Sequence, residues 1–171
     1  MKKGFTLVEL LAVVLMVGVL MGIGMPQYRK VVDKARVTEA ESVMRTIYDS
    51  SERLAGDFGY TSFPNLQSSK GNIAITRLDM FDAENLPAGC AITDVGTSSE
   101  LLRCTRFWYK VNVQVGAAHY VAAKLTQGRN QGTYILFSRS NQNLYCQPAA
   151  GKTSDFCDML GLDVVSAGLT F

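Results

Sequence analysis

The sequence predicts an α+β chain: one long N-terminal α-helix packed on a C-terminal antiparallel β-sheet, with a disulfide-bounded loop near the C-terminus. Three observations predict it. An apolar run extends from Phe5 to Met25 and passes without a break into an amphipathic stretch that lasts to about Ala55. After Cys104 the hydrophobic pattern turns from helical to alternating, with glycine-containing turns between the segments. Cys90, Cys104, Cys146 and Cys157 all fall in the second half of the chain. The expected organisation is a leader at 1–4, the helix at 5–55 and a globular part at 56–171.

The N-terminus comes first. Glu9 is the sole ionisable residue between Phe5 and Met25, and the run is about the 20 residues a helix needs to cross a bilayer. Lys2 and Lys3 precede it, while Arg29, Lys30, Lys34 and Arg36 follow, so charge asymmetry does not decide orientation; the short end is expected inside. A secretory signal peptide has a shorter apolar region and is cut after it. A plain anchor has no use for Glu9, because a carboxylate in hydrocarbon costs roughly 2.5–3.5 kcal/mol on insertion scales. A helix buried in a soluble core would carry the same unpaired carboxylate.

The string Gly4-Phe5-Thr6-Leu7-Val8-Glu9, behind a short basic leader and ahead of an apolar run ending near Pro26, resembles the class III signal of type IV pilins and type II secretion pseudopilins. The resemblance covers the first 55 residues well and the rest in outline. It implies a type IV pilin-like fold. It also implies that a membrane prepilin peptidase cuts between Gly4 and Phe5 and that Phe5 is then N-methylated. A new ammonium at Phe5 is as unwelcome in an apolar filament core as a carboxylate. Glu9, four residues on and on the same helix face, reaches its own amine or that of a neighbour. The resemblance favours the neighbour, as a register contact in assembly.

Gly18 and Gly22 form a small-xxx-small pair with Gly24 just beyond, a spacing that lets membrane helices approach closely and is equally ordinary glycine use. Pro26 has no N–H for the carbonyl of Gly22 and crowds that turn, so the helix is weakest here. In resembling pilins the corresponding region loses helical structure in the filament, and the same is expected of Gly18 to Pro26.

From Gln27 to Ala55, Val32, Ala40, Val43, Ile47 and Leu54 recur at helical spacing. Arg29 with Asp33, Glu41 with Arg45, and Asp49 with Arg53 are expected as i,i+4 ion pairs. A continuous helix of about 50 residues would reach roughly 75 Å, ended by Gly56 and Gly59. The segment from Gly56 to Leu102 reads as loop with one short strand at Ile73 to Thr76, packed down by Tyr60, Phe63 and Phe81. The resemblance puts a variable, surface-facing loop there. Strands are expected at Phe107 to Val115, His119 to Thr126 and Thr133 to Ser138, with a fourth at Asn143 to Cys146. Trp108 is expected in the sheet core. Gln127 to Gly132 reads as a turn, since a phosphate-cradling loop needs a strand and helix context that is missing.

Beyond a membrane segment, the four cysteines read as disulfides rather than metal ligands. None forms a CxxC pair, and four cysteines allow three connectivities that sequence does not choose among. Cys90 with Cys104 and Cys146 with Cys157 are expected, because each closes a local loop. A C-terminal loop so bounded resembles type IV pilins more than the major pseudopilins.

Catalysis, cofactors and metals find little support. His119 is the one histidine and sits in a strand beside Tyr120. Asp155, Asp158 and Asp163 lack EF-hand spacing and read as a solvated acidic loop. Hydrophobic residues make up 47% and charged residues 19%, which fits an anchored globular chain rather than a disordered one. Loss of Lys2 and Lys3 with the leader leaves 17 − 2 = 15 basic residues against 15 acidic ones, so no global field attracts nucleic acid.

The resemblance therefore implies a non-enzymatic structural subunit. It would sit in the inner membrane with its C-terminal part in the periplasm, contact lipid, and be extracted by an inner-membrane assembly platform. It would then join copies of itself, with minor pilins, in a helical filament on the cell surface. A type II secretion pseudopilin is the nearest alternative, and a membrane-anchored periplasmic binding or adhesive module is the alternative of another class. Whether such a fibre serves adhesion, motility or DNA uptake is not written in these residues.

Overall fold

In a computed structural model, the described residues are 6–71, 73, 75–80, 86, 88–94, 100–166, 168 and 169. Phe81, expected to pack the loop, lies outside them. The fold is α+β: a long helix, two short ones, a 3-10 turn and a sheet of seven strands. The chain divides into two compact units, residues 1–37 and 38–171.

Helix α1, Leu7–Asp57, contributes to both units. In the first unit its apolar residues stand in the open: Leu7 is 80% exposed and Ile23 69%, as they must be if their proper surroundings are lipid or other helices. The helix runs unbroken through Pro26. Of the expected pairs, Glu41 and Arg45 meet at 2.8 Å. The other two expectations are corrected: Asp33 pairs with Arg36 one turn on, and Arg53 leaves Asp49 for Asp79 of the following loop at 3.0 Å.

In the second unit, α1 buries Ala40, Met44, Ile47, Ser51 and Ala55, with Ser50 beside them. Of the expected stripe Ala40 and Ile47 are buried, while Val32, Val43 and Leu54 are only half-buried at its margin; the buried face runs instead through Met44 and Ser51, and an apolar-only pattern skips the serine. Ser51 is satisfied by donating to the Tyr48 carbonyl at 2.8 Å. The helix ends as expected near its glycines, with Gly59 at φ +77° and Tyr60 N–H donating to the Ala55 carbonyl.

The stretch expected to be loop holds structure. Helix α2, Phe63–Lys70, starts behind Pro64 in its first turn and buries Phe63 and Leu66, while Glu52 of α1 accepts the Phe63 N–H at 3.1 Å. Only eight residues long, it lacks the length that makes helical periodicity legible. The expected strand at Ile73 to Thr76 is instead a 3-10 turn, Ile75–Arg77, that buries Ile75. Strands β1, Cys90–Thr93, and β2, Leu101–Cys104, lie outside the segments expected to be β.

The sheet follows chain order: β1, β2, β3 (Phe107–Val115), β4 (Ala118–Leu125), β5 (Tyr134–Ser138), β6 (Leu144–Gln147) and β7 (Asp163–Val164). All neighbours are antiparallel except β6 and β7, which helix α3, Asp155–Leu160, connects in parallel. Register stacks Leu102, Tyr109, Ala123, Ile135 and Cys146 in one buried row. Phe137, on the same face of β5, meets the Tyr48 ring of α1 edge-on at 5.5 Å. The other face is not bare: Val165 and Leu169 of the C-terminal tail pack on Tyr120, Tyr134 and Leu136. Strand β5 is consequently buried on both sides. Trp108 is a correction. It lies on this second face, half-buried, with the Arg103 guanidinium 4.5 Å and the Lys124 ammonium 5.7 Å from its ring.

Arg139, just after β5, ties the layers together. Its guanidinium donates to Glu52 Oε1 at 2.6 Å, to Ser51 Oγ at 2.9 Å and to the Val111 carbonyl at 2.6 Å. Burial brings its pKa down to about 10, so it stays cationic at neutral pH.

Disulfides join Cys90 to Cys104, directly opposite on β1 and β2, and Cys146 of β6 to Cys157 of α3. The second closes a loop that carries helix α3.

Candidate functional site

Of the residues expected to act in processing and assembly, Glu9, Gly18, Gly22 and Pro26 lie on α1. Gly4 and Phe5 fall outside the described residues. Glu9 sits in the first helical turn, where its carboxylate Oε2 accepts from the Thr6 backbone N–H at 3.0 Å and from Thr6 Oγ1–H at 2.9 Å. Glu9 N–H in turn donates to Thr6 Oγ1 at 3.3 Å. This is a reciprocal capping box, which satisfies helix donors that would otherwise face apolar surroundings bare. Thr6 was absent from the expected site residues. Its signal was nevertheless present, since Thr6-Leu7-Val8-Glu9 is the Thr-x-x-Glu spacing that precedes an apolar run.

The cap changes what Glu9 can do chemically. Both Thr6 donors fall on the one oxygen Oε2, and Glu9 is exposed among the described residues, so a cation can approach it from outside. Leu10, Leu11, Val13, Val14 and Val17 surround this position on the helix and are all exposed.

Gly18, Gly22 and Gly24 lie on the same helix, and a Cβ built on any of them would meet nothing within 4 Å. Their backbone is open to close approach from outside. No part of the 18-residue window that makes this stretch long and apolar enough to cross a membrane is buried in the fold.

The remaining candidates separate from this surface. Asp155 accepts from Thr153 Oγ1–H and Asp158 from Ser154 Oγ–H, each a local turn contact. Among the described residues no group of three or more His, Cys, Asp or Glu side chains is assembled for a metal. His119 contacts Asn112 Oδ1 through Nδ1 at 3.3 Å.

Residues 1–25 match the family model described as the prokaryotic N-terminal methylation motif. No curated protein and no solved structure matches the chain. The matched segment covers the capped start of α1 and its exposed apolar run up to Met25.

Proposed function

We propose, from a chain that carries a type IV pilin-like prepilin signal on an α+β fold, that the protein is a structural subunit polymerising into a type IV pilus through its N-terminal helix. One observation carries the reading. The methylation motif coincides with a helical segment whose apolar side chains are exposed among the described residues. Burying such a segment against copies of itself recovers roughly 25 cal/mol per Å² of apolar surface removed from water.

The proposed sequence starts at the membrane. A prepilin peptidase hydrolyses the Gly4–Phe5 peptide bond, and a methyl group is transferred to the new Phe5 amine. The apolar segment of α1 holds the chain in the inner membrane with the sheet in the periplasm. An assembly platform then moves the chain from lipid into the filament. There the Phe5 ammonium of one subunit meets Glu9 of another, with the Thr6 cap already holding one carboxylate oxygen. Such a pair adds little net stability but penalises registers that leave one charge unpaired by several kcal/mol. Gly18 to Pro26 lose helical bonding as subunits pack, since Pro26 already removes one bond there.

Shearing cells and imaging the released material tests the reading. Long surface fibres containing this chain are expected. Their absence, with loss of exported enzymes when the gene is deleted, would make the protein a pseudopilin instead.

A further inference from the structure

A polar groove lies between α2 and the β3–β4 hairpin, and nothing in filament assembly uses it. Two adjoining cavities of about 290 and 570 Å³ share Pro64 and His119. Together they fall in the range of roughly 300–1,000 Å³ that small-ligand sites occupy.

A β-bulge builds the groove. Lys110 pairs with Ala122 and Val113 with Tyr120, so Val111 and Asn112 together oppose the single residue Val121. Bulges of this kind re-aim side chains. Here the Val111 carbonyl is taken by Arg139, and Asn112 Nδ2–H donates to Gln67 Oε1 of α2 at 2.6 Å. The amide oxygen Oδ1 of Asn112 then faces His119 Nδ1 at 3.3 Å and can only accept, which fixes the proton on Nδ1. The three side chains form a relay of one polarity. Among the described residues it leaves an acceptor at His119 Nε2 and the two N–H donors of Gln67 at opposite ends.

Charge selects the ligand further. The charged groups that line the groove, Glu52 and Arg139, neutralise one another at 2.6 Å, so neither an anion nor a cation is favoured. Pro64, Ala117 and Tyr48 supply apolar faces beside the hydrogen-bonding groups. An extended peptide would need a strand edge or apolar anchor pockets; β4 is paired on both sides, while β3 has a β2 partner only at Trp108 and Tyr109, so a peptide amide is the competing ligand that the test below includes. A sugar ring matches, offering C–H faces and hydroxyls that both donate and accept.

We propose that this groove binds a neutral saccharide, with the Gln67–Asn112–His119 relay reading adjacent hydroxyls. The test uses the full chain in a sugar-free detergent, followed by NMR during titration with maltotriose, chitotriose or lactose. At least one should shift the Asn112, His119 and Gln67 signals at millimolar concentration. Asn112→Asp, which removes the N–H donated to Gln67, and Gln67→Ala should each weaken that binding about tenfold, the cost of one lost hydrogen bond. Both should leave the remaining amide spectrum unchanged. If no saccharide shifts these signals, or both variants bind it as well as the parent, the proposal fails. If N-acetyl-Gly-Gly-amide shifts them and the sugars do not, the groove reads peptide amides and the proposal is equally overturned.

Discussion

Arg139 is the residue on which the globular part depends most. Its side chain is 5% exposed, while Glu52 keeps 24%. Removing one partner of a buried pair strands the other charge, so Glu52→Ala should cost about 3 kcal/mol. Glu52→Leu combined with Arg139→Met should recover part of it, as urea unfolding of each variant would reveal. Nothing in the sequence announces the pair, since 87 residues separate the partners. His119 is different, being legible as a strand histidine but not as part of a relay. Burial and the Arg139 charge both hold its pKa below 6.5. The unfolded chain therefore takes up its proton first, and this contribution to stability is complete above pH 6.5 and declines as pH falls through the folded value. An NMR titration should place the His119 midpoint below 6.5. Asp79 has the same pH sign from a different cause: Ser50 Oγ–H, which donates to it, and Arg53 favour its charged form and lower its pKa. That contribution is present above the ordinary value of 3.8 and is lost as pH falls through the folded one. Glu9 was legible as an oddity in an apolar run, and Glu9→Ala should leave processing intact yet abolish incorporation into fibres. Normal fibre yield from that mutant would remove the register role.

Among the elements, the two disulfides differ in a way that predicts their behaviour. Cys146 and Cys157 are fully buried, whereas Cys90 and Cys104 are half-buried at one end of the sheet. Under mild reductant with an alkylating reagent, Cys90 and Cys104 should be labelled first, which peptide mapping reads directly. Losing Cys146–Cys157, whose partners are 11 residues apart, should cost about 3 kcal/mol by the chain-entropy account. The long helix, β3 and β4 were legible because each repeats its hydrophobic period over enough residues, and β5 and β6 as short apolar runs that follow turns. The elements α2, β1, β2 and α3 were not. They are held by tertiary contacts such as Glu52 on the Phe63 N–H and the pairing of Cys90 with Cys104. The second buried face of β5 was hidden for the same reason, since it is covered by isolated residues of the tail, Val165 and Leu169 among the described ones, that show no period of their own.

At the scale of the whole molecule, two surfaces separate two kinds of binding. Residues 6–25 form an exposed, largely apolar surface with one capped carboxylate, which the proposed function assigns to lipid and then to copies of the same helix. Residues 38–171 form a compact α+β unit with its own core, two disulfides and a polar groove. The first was written openly in the sequence, because an anchoring segment is read from composition alone. The groove was not, because it requires a bulge and a helix that no local pattern foretells. The filament reading rests on the first surface and requires that the leader be removed while the apolar segment is kept. Mass spectrometry of the native N-terminus tests this most directly. The account predicts a mature chain that begins at N-methylated Phe5; a chain that retains Met1 to Gly4, or one cut beyond Met25, would contradict it.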